Sequence, residues 1–172
     1  MTKKTTACFS GYRPKNFSFA LGKGDEAFLA LHERTGQAII QAVSDGYNRF
    51  MCGMAEGFDL IAGSVFLELK EKRSDMANVQ LLAMLPFAGH GFSEPWGITH
   101  QLILRQAEEV ITLAPKYHPP AYHDRNRYMV DNSSCLICYY NGKKGGTRFT
   151  VKYAGACGLS IINIAAPEFE IG

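Results

Sequence analysis

Short apolar runs alternate along this chain with longer segments of helical period, and that alternation predicts a parallel sheet flanked by helices. Thr5–Phe9 reads as a first strand, ending in the turn Ser10-Gly11-Tyr12-Arg13-Pro14. Asp25–Ser44 reads as a helix closed by Gly46, with Phe28, Leu31, Ala38, Ile39, Ala42 and Val43 on one face. Arg49–Cys52 is a short second strand, and the turn Gly53 to Asp59 opens a helix reaching about Lys72. Val79–Leu85 is a third strand, stopped by Pro86, and Phe87–Pro95 is a loop rich in Gly, His and Pro. A helix from Trp96 to about Glu109 and a strand at Val110–Leu113 follow. The stretch holding Tyr117, His118, Pro119, Pro120 and His123, as far as Asp131, reads as irregular. Ser134–Tyr140 is then a strand, Thr147–Cys157 a helix and Leu159–Ile164 the last strand. The predicted fold is α/β, a Rossmann-like three-layer α/β/α arrangement with a mostly parallel sheet.

Composition narrows the setting. With 172 residues, 47% of them hydrophobic, and no repeat or linker, the chain is expected to form one nucleotide-binding domain over 1–172. Its 18 basic and 16 acidic residues leave a formal charge of +2, so the total demands neither nucleic acid nor an acidic or membrane partner. Lys3 and Lys4 precede no apolar stretch of signal-peptide length, and no run approaches the roughly 20 apolar residues of a spanning helix. A soluble, cytoplasmic protein is expected. Five cysteines, Cys8, Cys52, Cys135, Cys138 and Cys157, are an odd number in apolar surroundings, which predicts buried thiols in a reducing compartment.

Candidate chemistry lies in three glycine-bearing turns at strand ends, the edge where open parallel sheets bind ligands. In the first, Arg13 offers a planar fork to phosphate or carboxylate, the Tyr12 ring could lie against a base, and Pro14 stiffens the turn beside Gly11. In the second, Gly53 and Gly57 would let a phosphate approach the backbone at a helix start. A plain tight turn with Asp59 capping the helix explains the same residues. The third, Gly142-Lys143-Lys144-Gly145-Gly146-Thr147, adds two lysines to the same pattern, although one or both could simply be solvated. Ahead of the strand at Ser134, Arg125 and Arg127 could bind anions and Asp131 a ribose. Surface ion pairs and the end of a short helix are the competing readings.

Other signals carry less. Cys135 and Cys138 have the spacing of a metal or redox pair but sit in a strand, where positions three apart face opposite sides. No second pair completes a zinc site, so no metal is expected. The histidines lack ligand spacing, and those in loops, His90, His118 and His123, are expected at the surface unless they touch a ligand.

Taken together, the SGYRP turn, the GMAEGFD loop, the Pro86-Phe87 strand end with Trp96 after it, the RNRYMVDNS run and the strand leading to GGT resemble the YpsA-like family of the SLOG superfamily, from about Cys8 to Ala156. The resemblance implies a Rossmann-like sheet that binds nucleotides or their derivatives, among relatives that include the Lonely Guy phosphoribohydrolases and the DprA single-strand DNA-binding proteins. Carried over, it assigns ligand contacts to Gly11, Arg13 and Pro14, to Gly53, Gly57 and Asp59, and to Gly145, Gly146 and Thr147. Arg125, Asn126, Arg127 and Asp131 form the flanking wall. The phosphoribohydrolases carry a catalytic glutamate three residues after the glycine-threonine pair, where this chain has Thr150. The leading expectation is therefore binding or sensing of a phosphate-bearing, NAD- or ADP-ribose-like nucleotide as ligand, with no certain cofactor. An N-glycosidic hydrolase is the alternative, with Glu56, Asp59 or Asp131 as its carboxylate. Single-stranded DNA binding is a second alternative, opposed by the +2 balance. A homodimer through helices fits the fold class.

Overall fold

The structure of the protein is a computed structural model describing residues 2–22 and 24–165. Residues 1, 23 and 166–172, which the expected domain of 1–172 includes, lie outside the described residues. Six strands, β1 (Thr6–Gly11), β2 (Arg49–Cys52), β3 (Gln80–Leu85), β4 (Glu109–Thr112), β5 (Cys135–Tyr139) and β6 (Ser160–Asn163), alternate with five helices. These are α1 (Glu26–Ser44), α2 (Phe58–Lys72), α3 (Trp96–Gln106), α4 (Ala121–Asp131) and α5 (Gly146–Ala156). Every strand pair is parallel, in the order β4-β3-β2-β1-β5-β6. The fold is α/β and Rossmann-like, as the alternation predicts, and the sheet is parallel throughout rather than mostly so.

The central strands are buried nearly end to end because helices cover both faces, which is why they read as unbroken apolar runs. Helices α1, α2 and α3 pack side by side, while α4 and α5 pack on each other. Phe50 anchors the core between Phe9, with ring centres 5.9 Å apart, and Phe66, at 5.3 Å. The edge strand β4 is mostly exposed. Asp25 starts α1 by accepting from the amides of Ala27 and Phe28 at 2.9 and 3.1 Å, and Gly46, with φ of 101°, follows its end.

Two expectations change. The stretch to Asp131, read as irregular, contains α4. Its inward positions are Ala121, Arg125, Met129 and Val130, a helical period with a guanidinium in its middle. The cysteines also divide: Cys8, Cys52, Cys135 and Cys138 are buried, but Cys157 is exposed beyond the end of α5. Burial pushes the Cys8 and Cys52 thiols up to about 12 and that of Cys135 to about 11, which removes thiolate reactivity at neutral pH.

Candidate functional site

The strand order fixes where a cleft can open. From β1 the chain steps outward through β2 and β3 to β4, and then returns to place β5 on the other side of β1. The connections leaving β1 and β5 run in opposite directions, so their carboxyl ends part and leave a crevice at this switch point. A cleft of about 520 Å³ lies there, large enough for a mononucleotide. The β1 end contributes Ser10, Gly11, Tyr12, Arg13, Lys15 and Asn16. The loop after β5 and the start of α5 supply Lys143, Lys144, Gly145, Gly146 and Thr147. Ala55 and Asp59 come from the turn after β2, and the third wall, Pro119, Tyr122, His123, Arg125 and Asn126, belongs to the start of α4. Among the described residues its charged groups are five cations, Arg13, Lys15, Arg125, Lys143 and Lys144, against the single carboxyl of Asp59.

The two glycine turns at helix starts are put to different uses. Gly57 has φ of 93°, and a Cβ there would run into the Tyr12 carbonyl oxygen and stand 2.9 Å from the Arg13 Cα. The Phe58 amide is already bonded to that carbonyl at 3.0 Å. At Gly53 a Cβ would stand 2.7 Å from the Asp59 carboxylate and 3.2 Å from the Arg125 Nε. Protein therefore fills the space at Gly53 and Gly57 where the sequence suggests a phosphate could approach. Pro14 likewise packs against Gly57 instead of facing the cleft. The start of α5 is open by contrast: among the described residues nothing stands within 4 Å of a Cβ at Gly145 or Gly146, and no side chain caps the first-turn amides.

Tyr12 has a role other than the one its position after β1 suggests. Its ring is buried, edge-on to Phe17 and Tyr139, and is not laid out for a base. Its hydroxyl donates to Asn141 Oδ1 at 2.7 Å and accepts from the amides of Asn141 and Lys143 at 3.0 Å each. This joins the first turn to the loop after β5, and Lys143 Nζ adds a bond to the Asn16 carbonyl at 2.7 Å.

Asp59 and Arg125 are both buried at the floor. Asp59 Oδ2 accepts from the Ala55 amide at 3.3 Å. Burial pushes its carboxyl up to about 6, against the pull of the Arg125 cation, the Ala55 amide and the Arg13 cation. Arg125 gives Nη1 to the Gly53 carbonyl, while Nε and Nη2 fork onto Asn126 Oδ1 at 3.1 and 3.0 Å. The guanidinium carbons of Arg13 and Arg125 stand 4.9 and 5.6 Å from the centre of the Tyr122 ring, so two like charges share one aromatic neighbour.

Of the other sequence candidates, Asn126 lines the cleft, but Arg127 and Asp131 do not. Arg127 lies over the Tyr153 ring at 5.2 Å and Asp131 accepts from the Tyr153 hydroxyl at 2.6 Å, so both join α4 to α5. Glu56 is also outside the lining, leaving Asp59 as the one cleft carboxyl of the three catalytic candidates. Thr150 is buried and bonds back to the Gly146 carbonyl at 3.0 Å. His90, expected at the surface, is buried behind Tyr122, with Nδ1 3.2 Å from Nε2 of the buried His100. Burial and the neighbouring His100, Arg125 and Arg13 push His90 down to about 4. The sequence reading missed Tyr122, Lys15, Asn16 and Ala55. The helical spacing of Tyr122 and Arg125 was the signal available for α4.

A doubly wound parallel sheet with its cleft at the switch point places the chain in the Rossmann-like class. Residues 7–157 match the YpsA family, described as the YspA SLOG family, and the chain belongs to it. The uncharacterized SPbeta prophage-derived protein YoqJ of Bacillus subtilis (strain 168) is 28% identical over 120 residues, 62% of this chain and 68% of YoqJ. A UPF0398 protein of Listeria monocytogenes serotype 4a (strain HCC23) is 27% identical over 145 residues, 80% of this chain and 76% of its own. Among solved structures, DprA of Streptococcus pneumoniae superposes with a TM-score of 0.59 at 15% identity, covering 93% of this chain and 50% of DprA. DprA of Helicobacter pylori, solved to describe its single-stranded DNA binding mode, gives 0.59 at 14%, covering 92% and 64%. TM1055, a structural genomics target, gives 0.55 at 13%, covering 91% and 72%. At these identities the likeness shows the fold. No helix among the described residues is long and apolar enough to cross a membrane.

Proposed function

We propose that the cleft binds a phosphate-bearing nucleotide or nucleotide derivative, with its phosphate against the first turn of α5. The carrying observation is that open turn: uncapped amides at Gly146 and Thr147, beside Lys143 and Lys144 and across from Arg13. A helix start binds anions through its free amides and its dipole, and flexible lysines add charge. The twin guanidiniums at Tyr122 favour the same ligand, since an anion between them relieves their repulsion.

Calorimetric titration with AMP, ADP-ribose and NAD tests this reading. Arg13→Ala is expected to weaken binding by about 1–3 kcal/mol with little loss of fold. Unchanged affinity with a lower melting temperature would make Arg13 structural. Binding of a short single-stranded oligonucleotide, with none of these nucleotides bound, would transfer the cleft to the DNA-binding alternative.

An N-glycosidic hydrolase is the second reading, favoured by one observation. Asp59, at about 6, is poised to exchange a proton near neutrality on the cleft floor. Release of free base from AMP, NAD or ADP-ribose near 1 s⁻¹, abolished in Asp59→Asn, would establish it. The neutral Thr150 weighs the other way, because losing a positioned acid-base group costs about 10² to 10⁴ in rate.

A further inference from the structure

Just outside the cleft lining, next to His123 of its wall, α5 carries an exposed aromatic ring. Phe149 on α5 is 41% exposed, although a phenylalanine is ordinarily covered. Its ring centre lies 4.1 Å from that of His123, tilted by 45°, and His123 is an exposed residue of the cleft wall. Phe149 also lies nearly parallel to Tyr153, at 6.1 Å and 9°, and Arg127 caps Tyr153 in turn. The ring is thus braced by two neighbours while a broad part of its surface meets solvent.

Its place along α5 matters as much as its exposure. Phe149 follows Gly146 by three residues, about 4.5 Å further along the helix axis. Helical side chains lean toward the amino end, the end of α5 that carries the uncapped amides, and the ring meets His123 of the cleft wall. In a nucleotide the phosphate and base are separated by one ribose, a span that fits a phosphate at Gly146 and Thr147 with a base at the rim. Every base has a π-face, so an exposed aromatic ledge accepts bases without strict choice among them.

We propose that His123 and Phe149 form the base subsite of the cleft. Its ligand is then a nucleotide carrying an aromatic base and not a bare sugar phosphate. The subsite rests on the phosphate reading above, which places the ligand's other end.

Paired titrations of the full chain with AMP and with ribose 5-phosphate, which has the phosphate and no base, separate the two ideas. Phe149→Ala is expected to weaken AMP binding roughly 5- to 150-fold, the range for one stacked base, while leaving ribose 5-phosphate affinity and the melting temperature unchanged. Phe149→Trp should keep AMP binding, and its emission should be quenched by AMP but not by ribose 5-phosphate, against the wild-type background of the single Trp96. If wild type binds both compounds equally, or Phe149→Ala leaves AMP binding intact, the subsite is overturned while the phosphate reading stands. If wild type binds neither, the phosphate reading falls and the subsite with it.

Discussion

The turns before α2 and α5 share one grammar, a strand followed by glycines and a helix, yet one is closed and the other open. Before α2, Gly57 is pressed on the backbone of Tyr12 and Arg13, the Phe58 amide is used, and Asp59 and Arg125 stand over Gly53. Before α5, Gly145 and Gly146 face free space. Glycine serves close packing within the protein in the first turn and leaves room for something else in the second. The sharpest way to break this contrast is substitution at its glycines.

Gly57→Ala should have the largest effect. A methyl group there meets backbone, which cannot rotate away, and alanine disfavours a φ of 93°. A loss of roughly 3 kcal/mol or more in urea unfolding is expected. A loss below 1 kcal/mol would mean the two turns are not locked together.

Asp59→Asn comes next, and its effect depends on pH. The carboxyl is raised from 3.8 to about 6 in the folded protein, so folding disfavours its charge. Wild type therefore has this contribution in full below about 4 and loses it as pH rises through 6, by at most about 3 kcal/mol. The variant should be the more stable form at pH 7, and the gap should close by pH 4. His90 acts in the opposite sense. Its lowered value, about 4, gives stability present above 6.5 that is lost as pH falls. Only the difference between variant and wild type isolates Asp59. A gap that does not change between pH 4 and 7 would contradict the assignment.

The smallest effect on stability belongs to Gly146→Ala. With open space at the Cβ and no positive φ, it should leave stability unchanged or raise it by about 0.4–1 kcal/mol. Nucleotide affinity should fall, because the methyl group stands where the ligand approaches the amides. Full affinity in this variant would move the phosphate away from α5.

The sheet was legible because buried parallel strands are apolar throughout and their ends are marked by Gly and Pro. Helix α4 was not, since Arg125 interrupts its inward face and Pro119 and Pro120 precede it. Most of the cleft's cations could be named from their turns. Arg127 and Asp131 could not be separated from Arg125 and Asn126, because a segment read as irregular has no period, whereas at about 100° per residue a helix turns Arg127 away from the side that carries Arg125. The buried His90 and His100 escaped notice for a related reason: ten residues and a loop lie between them, and no local spacing announces the pair.

The Tyr12 hydroxyl is a single point on which two walls of the cleft depend. It answers one side-chain acceptor and two backbone amides at once, so replacing Tyr12 with phenylalanine strands all three. Losing this oxygen unties the loop after β5 from the first turn, so the shape of the lysine-bearing cleft wall depends on a residue that sits on a different strand end.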